Sequence, residues 1–133
     1  MLGRLARFMR FRGYDVLYDN KAEDEFLRRR SRYRIVLTKD RGLAKLIRDG
    51  RVYLVKTTGA ETQLREILQA FPEQKSSRCI ECNGKLSRIR KRKIEHLIPP
   101  FVFRKYDAFY FCRVCRRVYW AGSHYERASR VLE

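Results

Sequence analysis

Acidic residues are scarce in this sequence, and long apolar runs are missing from it. Asp and Glu total 15 against 32 Lys and Arg over 133 residues, a formal net charge of +17. A chain with so few acids cannot neutralise its own cations. It either meets a polyanion or carries strong self-repulsion. No run of about 18 apolar residues exists, which excludes a long apolar membrane span. A membrane surface is a poorer partner than nucleic acid, because no long basic amphipathic helix stands out. From Arg4 on, the first twelve residues carry an Arg at every second or third position, so an export signal's continuous apolar core is lacking. Internal repeats and low-complexity tracts are absent, as is any cysteine before residue 79. These absences predict a soluble, cytoplasmic protein with nucleic acid as its leading partner and no membrane contact.

The charge is not a detachable tail. Residues 1–75 hold 18 basic and 10 acidic residues, and residues 76–133 hold 14 and 5, so the halves carry +8 and +9. The length allows one domain with a small appendage. The polar, aperiodic Glu73-Gln74-Lys75-Ser76-Ser77 marks the boundary, giving domains 1–75 and 76–133.

Within the first domain, Leu2, Leu5, Ala6 and Met9 follow helical spacing up to Gly13. Tyr14 to Tyr18 reads as a strand ended by Asp19-Asn20. Further helices are expected over Glu23 to Arg32, around Leu43, Leu46 and Ile47, and over Glu61 to Phe71. Further strands are expected over Arg34 to Lys39 and Val52 to Val55. Such alternation at short intervals predicts right-handed βαβ units and a parallel sheet flanked by helices.

The four cysteines form two pairs, Cys79-Ile80-Glu81-Cys82 and Cys112-Arg113-Val114-Cys115. A two-residue spacing lets both thiolates reach one ion from a tight turn, which Asn83-Gly84 supplies after the first pair. Two disulfides would suit a secreted chain, and no export signal is seen. A Zn²⁺ ion held by four cysteines has no open coordination position, so it is structural. The 29 residues between the pairs, 83–111, exceed the usual spacing and mark an insertion. That insertion carries Arg88-Ile89-Arg90-Lys91-Arg92-Lys93 and Pro99-Pro100.

Asp40 follows the apolar run Ile35-Val36-Leu37 and precedes a helical pattern, so it lies at the carboxyl end of a strand, where open α/β sheets place ligands. It is equally suited to cap the helix that follows, and the two roles are compatible. Asp24 opens the second helix, where acids also suit the macrodipole. Both can face one end of a parallel sheet and hold Mg²⁺ or Mn²⁺, which activates water against a phosphodiester.

Several stretches resemble the Mut7-C family. They are Leu2-Gly3-Arg4-Leu5-Ala6-Arg7 through Gly13-Tyr14-Asp15, Leu37-Thr38-Lys39-Asp40-Arg41, both cysteine pairs, and Val118 to Tyr125. The resemblance runs nearly end to end. It implies a PIN-like α/β domain followed by a small β zinc ribbon, and a metal-dependent endoribonuclease whose acids correspond to Asp24 and Asp40. The family pattern begins with a strand ending in an aspartate just before the helix that starts here at Leu2. That first strand is missing from this sequence, which begins at Met1. An upstream segment, a partner's strand, or a domain that has lost catalysis and binds RNA would each account for it.

Arg4, Arg7, Arg10 and Arg12, the cluster around Arg29, and Arg90, Lys91, Arg92 and Lys93 offer charges to RNA phosphates. Each is also readable as a solvated face. Tyr106, Tyr119, Trp120 and Tyr125 are candidates to stack on bases or to pack a core. His124, in Gly122-Ser123-His124, is a further RNA candidate. Two functional readings follow: a Mg²⁺- or Mn²⁺-dependent endoribonuclease, or a non-catalytic RNA-binding component attached to the ribosome or another ribonucleoprotein.

Overall fold

A computed structural model of the protein describes residues 2–121. Their elements in chain order are α1 (Gly3–Phe11), α2 (Asp24–Arg30), β1 (Val36–Thr38), α3 (Arg41–Leu46), β2 (Val52–Leu54), α4 (Ala60–Ala70), β3 (Leu86–Ile89), α5 (Pro100–Lys105), β4 (Phe109–Cys112) and β5 (Val118–Trp120). Two 3₁₀ turns, Lys91–Lys93 and Glu95–Leu97, lie between β3 and α5. The result is mixed α/β, with a small parallel sheet and a separate antiparallel one. No helix among the described residues is long and apolar enough to cross a membrane. Residues 2–5 and 18–71 form one compact unit, and 6–17 with 72–121 form another.

In the first unit β1 and β2 pair in parallel, with Val36 opposite Val52 and Thr38 opposite Leu54. Parallel neighbours need a crossover, and α3 provides it. Val36, Leu43 and Ile47 form a buried cluster with Leu27 and Val52 against it. Leu64 and Ile67 of α4 are wholly buried. Each such side chain stabilises by roughly 1.5–3 kcal/mol relative to an exposed one. The turn into β2 passes close to the end of α2, where Arg51 N donates to Ser31 O at 2.9 Å. A Cβ on Gly50 would stand 1.9 Å from Ser31 Oγ, so only glycine fits that approach.

The expected strand at Tyr14 to Tyr18 is not formed. Its backbone groups have other partners. Tyr14 N donates to Met9 O at 3.0 Å, closing the end of α1. Val16 N donates to Asn83 Oδ1, and Val16 O accepts from Arg10 Nε, both at 2.9 Å. The alternating pattern is there, but its backbone groups are taken by the end of α1 and by the side chains of Arg10 and Asn83.

The second unit is built on β3, β4 and β5, an antiparallel sheet with Leu86 opposite Cys112 and Phe109 opposite Trp120. The insertion between the cysteine pairs supplies its core. Ile94, Ile98 and Val102 come from the 3₁₀ region and α5, and they pack with Phe109 of β4. Pro99 caps α5 and Pro100 is its first residue. There proline's fixed φ fits and its missing N–H costs nothing.

Candidate functional site

The four cysteines converge, with their Sγ atoms all within 4.8 Å of one another. Cys79 and Cys115 approach to 3.5 Å, and Cys82 and Cys112 to 3.4 Å. A cation bound tetrahedrally by sulfur at ~2.3 Å sets edges of about 3.8 Å, so the donors fit a metal ion such as zinc. None of the four forms a disulfide. Two matching turns hold the pairs. Asn83 N donates to Cys79 O at 2.9 Å and Arg116 N to Cys112 O at 2.7 Å. Asn83 and Arg116 both adopt the left-handed conformation, with φ of 70° and 65°. A side chain on Gly84 would come within 2.9 Å of Cys112 Sγ, which explains the glycine.

Around the sulfurs lies a shell that fixes them. Tyr119 Oη stands 2.9 Å from Cys79 Sγ. Burial raises the Cys79 thiol's pKa, but the Tyr119 hydroxyl and the Cys82 and Glu81 amides outweigh it, and the net shift is downward. Burial pushes Cys82 and Cys115 up instead. A bound cation deprotonates coordinating thiols outright, so it removes this asymmetry. Arg10 enters the first turn from α1. Its Nη1 donates to Ile80 O at 2.9 Å and Glu81 O at 3.3 Å, the two carbonyls between the first cysteines. Asn83 binds Asp15 through Nδ2 at 2.7 Å, besides accepting from Val16 N.

The two aspartates are placed otherwise. Asp40 is exposed at the carboxyl end of β1 and caps α3, with Oδ1 accepting from Gly42 N at 2.7 Å and Leu43 N at 3.2 Å. Its Oδ2 has no partner among the described residues. Asp24 is exposed in the first turn of α2. Among the described residues, the four cysteines are the one cluster of three or more metal-ligating side chains. Asp24 and Asp40 therefore belong to none.

The expected phosphate ligands divide sharply. Arg4, Arg90, Arg92 and Lys93 are exposed. Arg7 is exposed but paired with Glu81 at 2.9 Å, and Arg29 with Glu25 at 3.3 Å. Arg10 is buried with its donors committed to carbonyls, so it is a structural clamp and not a free cation. Arg12 is also buried, paired with Glu73, and its Nη1 has no partner among the described residues. Lys91 sits 4.4 Å over the Phe103 ring and donates to Tyr106 O. Trp120 is partly buried and packs near Phe109, with ring centres 6.4 Å apart. His124 and Tyr125 lie outside the described residues. Sequence reasoning missed the roles of Asn83 and Tyr119. The Asn-Gly pair was visible as a turn, but its side-chain partner 68 positions away was not.

The family model for the Mut7-C RNAse domain matches residues 1–132. No curated protein and no solved structure matched the sequence.

Proposed function

The chain belongs to the Mut7-C RNAse domain family, and from that premise we propose that it is an RNA-binding protein whose second unit is a zinc ribbon. One observation carries the RNA reading. The 32 cations outnumber the 15 acids by 17, so the chain keeps a net charge of +17 however its ion pairs are drawn. A polyphosphate backbone is the partner that such an excess suits. Zn²⁺ is the ion best suited to four thiolates at these separations, and four protein ligands leave it a structural role. Cys79, Cys82, Cys112 and Cys115 would hold it, with Tyr119 and Arg10 orienting the first pair.

A second reading is a PIN-like, metal-dependent endoribonuclease. Its support is Asp40, exposed at the carboxyl end of a parallel strand with Oδ2 unpartnered among the described residues. A hard divalent ion takes about six oxygen ligands and usually keeps several waters. Asp24 and Asp40, in no cluster of three, do not by themselves make such a site, and no hydrolytic step is written through them. A ribosome-attached, non-catalytic role is the natural alternative to cleavage.

Anisotropy titration of the full chain with labelled RNA over a salt series tests the first reading. Binding that weakens linearly with the logarithm of salt supports it, and no binding at low salt refutes it. Asp40→Asn separates the second reading from the cap, because Asn caps helices about as well as Asp. A nuclease loses Mn²⁺-dependent cleavage in Asp40→Asn while staying folded. Undiminished cleavage in that variant removes Asp40 from catalysis. Co-sedimentation with ribosomal particles at low but not high salt would favour the ribosomal alternative.

A further inference from the structure

We propose that a groove between α2 and α3 is the track for a single strand of RNA. This rests on the RNA-binding reading and names where the strand lies. The groove encloses about 910 Å³ and is lined by Arg28, Arg29, Arg32, Tyr33, Lys45 and Arg48. Glu25 and Asp49 are the acids in its wall. Five cations thus face two acids.

The cations are not equally available. Arg28 and Arg29 pair with Glu25 at 3.1 and 3.3 Å, and both lie in the last turn of α2, where positive charge suits the helix terminus. Arg32 and Arg48 stand one residue past the C-caps of α2 and α3, where the macrodipole also favours a cation. Among the described residues, the side chains of Arg32, Lys45 and Arg48 have no ion pair. Asp49, beside Arg48 in sequence, forms an ion pair with none of the three among the described residues.

Tyr33 decides what kind of polyanion fits. It is 81% exposed, among the cations of the groove. A ring left in water at that level stabilises no core. A duplex hides its base faces, whereas unpaired bases offer them for stacking on an aromatic ring. Cations for phosphates beside a bare aromatic for a base match single-stranded nucleic acid.

The topology gives the track a direction. Arg32 and Tyr33 precede β1, and Arg48 precedes β2, so they lie toward the amino-terminal edge of the parallel pair. Glu25 and Gly42 also line the groove, and they adjoin Asp24 and follow Asp40. A strand lying along it therefore runs between the edge where Asp40 follows β1 and the opposite edge. α3 spans about 9 Å at ~1.5 Å per residue, which is about three nucleotides at the ~3.4 Å rise of a stacked strand.

The test is anisotropy titration of the full chain with a short labelled oligouridine and with an RNA duplex of the same length. The variants are Tyr33→Ala, Tyr33→Phe and the double change Arg32→Gln with Arg48→Gln. All three positions are exposed, and circular dichroism checks the fold. Tyr33→Ala should weaken oligouridine binding about 5- to 150-fold, the range for losing one stacked base. Tyr33→Phe should restore it. The double variant should lower the salt slope by about 1.4, at ~0.7 for each single-strand phosphate. If the wild type binds oligouridine and every variant binds it equally well, the groove is overturned while the RNA reading stands. If the duplex binds as tightly as oligouridine and Tyr33→Ala changes neither, the single-strand assignment is overturned. If the wild type binds no RNA at low salt, the RNA reading falls and the groove falls with it.

Discussion

Arg10→Ala tests whether the cysteine turn is held from outside. Arg10 is 8% exposed and donates to Val16 O, Ile80 O and Glu81 O at 2.9, 2.9 and 3.3 Å. Hydrogen bonds from a charged donor contribute roughly 1.5–3 kcal/mol each. They are not additive, and the Glu81 carbonyl lies on an exposed residue that water can reach once the guanidinium is gone. A loss of about 2–4 kcal/mol is therefore expected for the second unit. Trp120, the single tryptophan, packs in that unit's core, so its fluorescence reports the unit's urea transition. Ile80 and Glu81 lie between Cys79 and Cys82, so if these hold Zn²⁺ the variant should also bind it about 10–100-fold more weakly in a chelator competition, as outer-shell losses do. Arg7→Ala is the control. Arg7 is one turn away, exposed, and paired with Glu81, a contact worth about 0–1 kcal/mol. An unchanged midpoint and zinc affinity in Arg10→Ala, or equal losses in the two variants, would refute the clamp.

Two further outcomes follow from the first unit. Glu66 accepts from Tyr53 Oη, Thr57 Oγ1 and the amides of Lys56 and Thr57. Burial raises its carboxyl, but these bonds outweigh it and take the pKa from the ordinary 4.5 to about 2. A depressed folded pKa gives stability that is present above the unfolded value and lost as pH falls through the folded one. The unit's stability should thus decline from about pH 4.5 to about pH 2, and Glu66→Gln should flatten that part of an acid titration followed by circular dichroism. Gly50→Ala places a Cβ 1.9 Å from Ser31 Oγ and 2.6 Å from Ser31 Cβ. It should cost about 1–3 kcal/mol by overpacking. Faster hydrogen exchange at the Val36 amide, which donates to Arg51 O, reads this out, and adding Ser31→Gly should recover part of it.

The cysteine cluster was legible because its information is local. Cys-x-x-Cys fixes two thiolates on one turn, and Asn83-Gly84 announces the turn. The first four helices were legible for the same reason, while α5 was not read. Leu64 and Ile67 repeat at helical spacing and are fully buried in α4, and Asp40 does cap α3 as its place before Arg41 implied. The segment Tyr14 to Tyr18 was misread because its alternation is real while its partners are remote. Val16 N finds Asn83 at a separation of 67 residues. Arg10 looked like one more cation on a basic helix, and the carbonyls that claim it lie 70 and 71 residues away.

By itself the sequence determined most of the first unit's elements, the pairing of the cysteines and the excess of positive charge, since spacing, periodicity and composition are properties of neighbouring residues. The tertiary structure decided which of the cations are committed and which remain available. Arg10, Arg12 and Lys91 are held by a knuckle, an acid and an aromatic ring, whereas Arg32, Lys45 and Arg48 gather with a bare tyrosine along one groove. A charge in the sequence carries no mark of its partner. Only the fold sets which acceptors lie within hydrogen-bonding reach, and so which charges are left for phosphate.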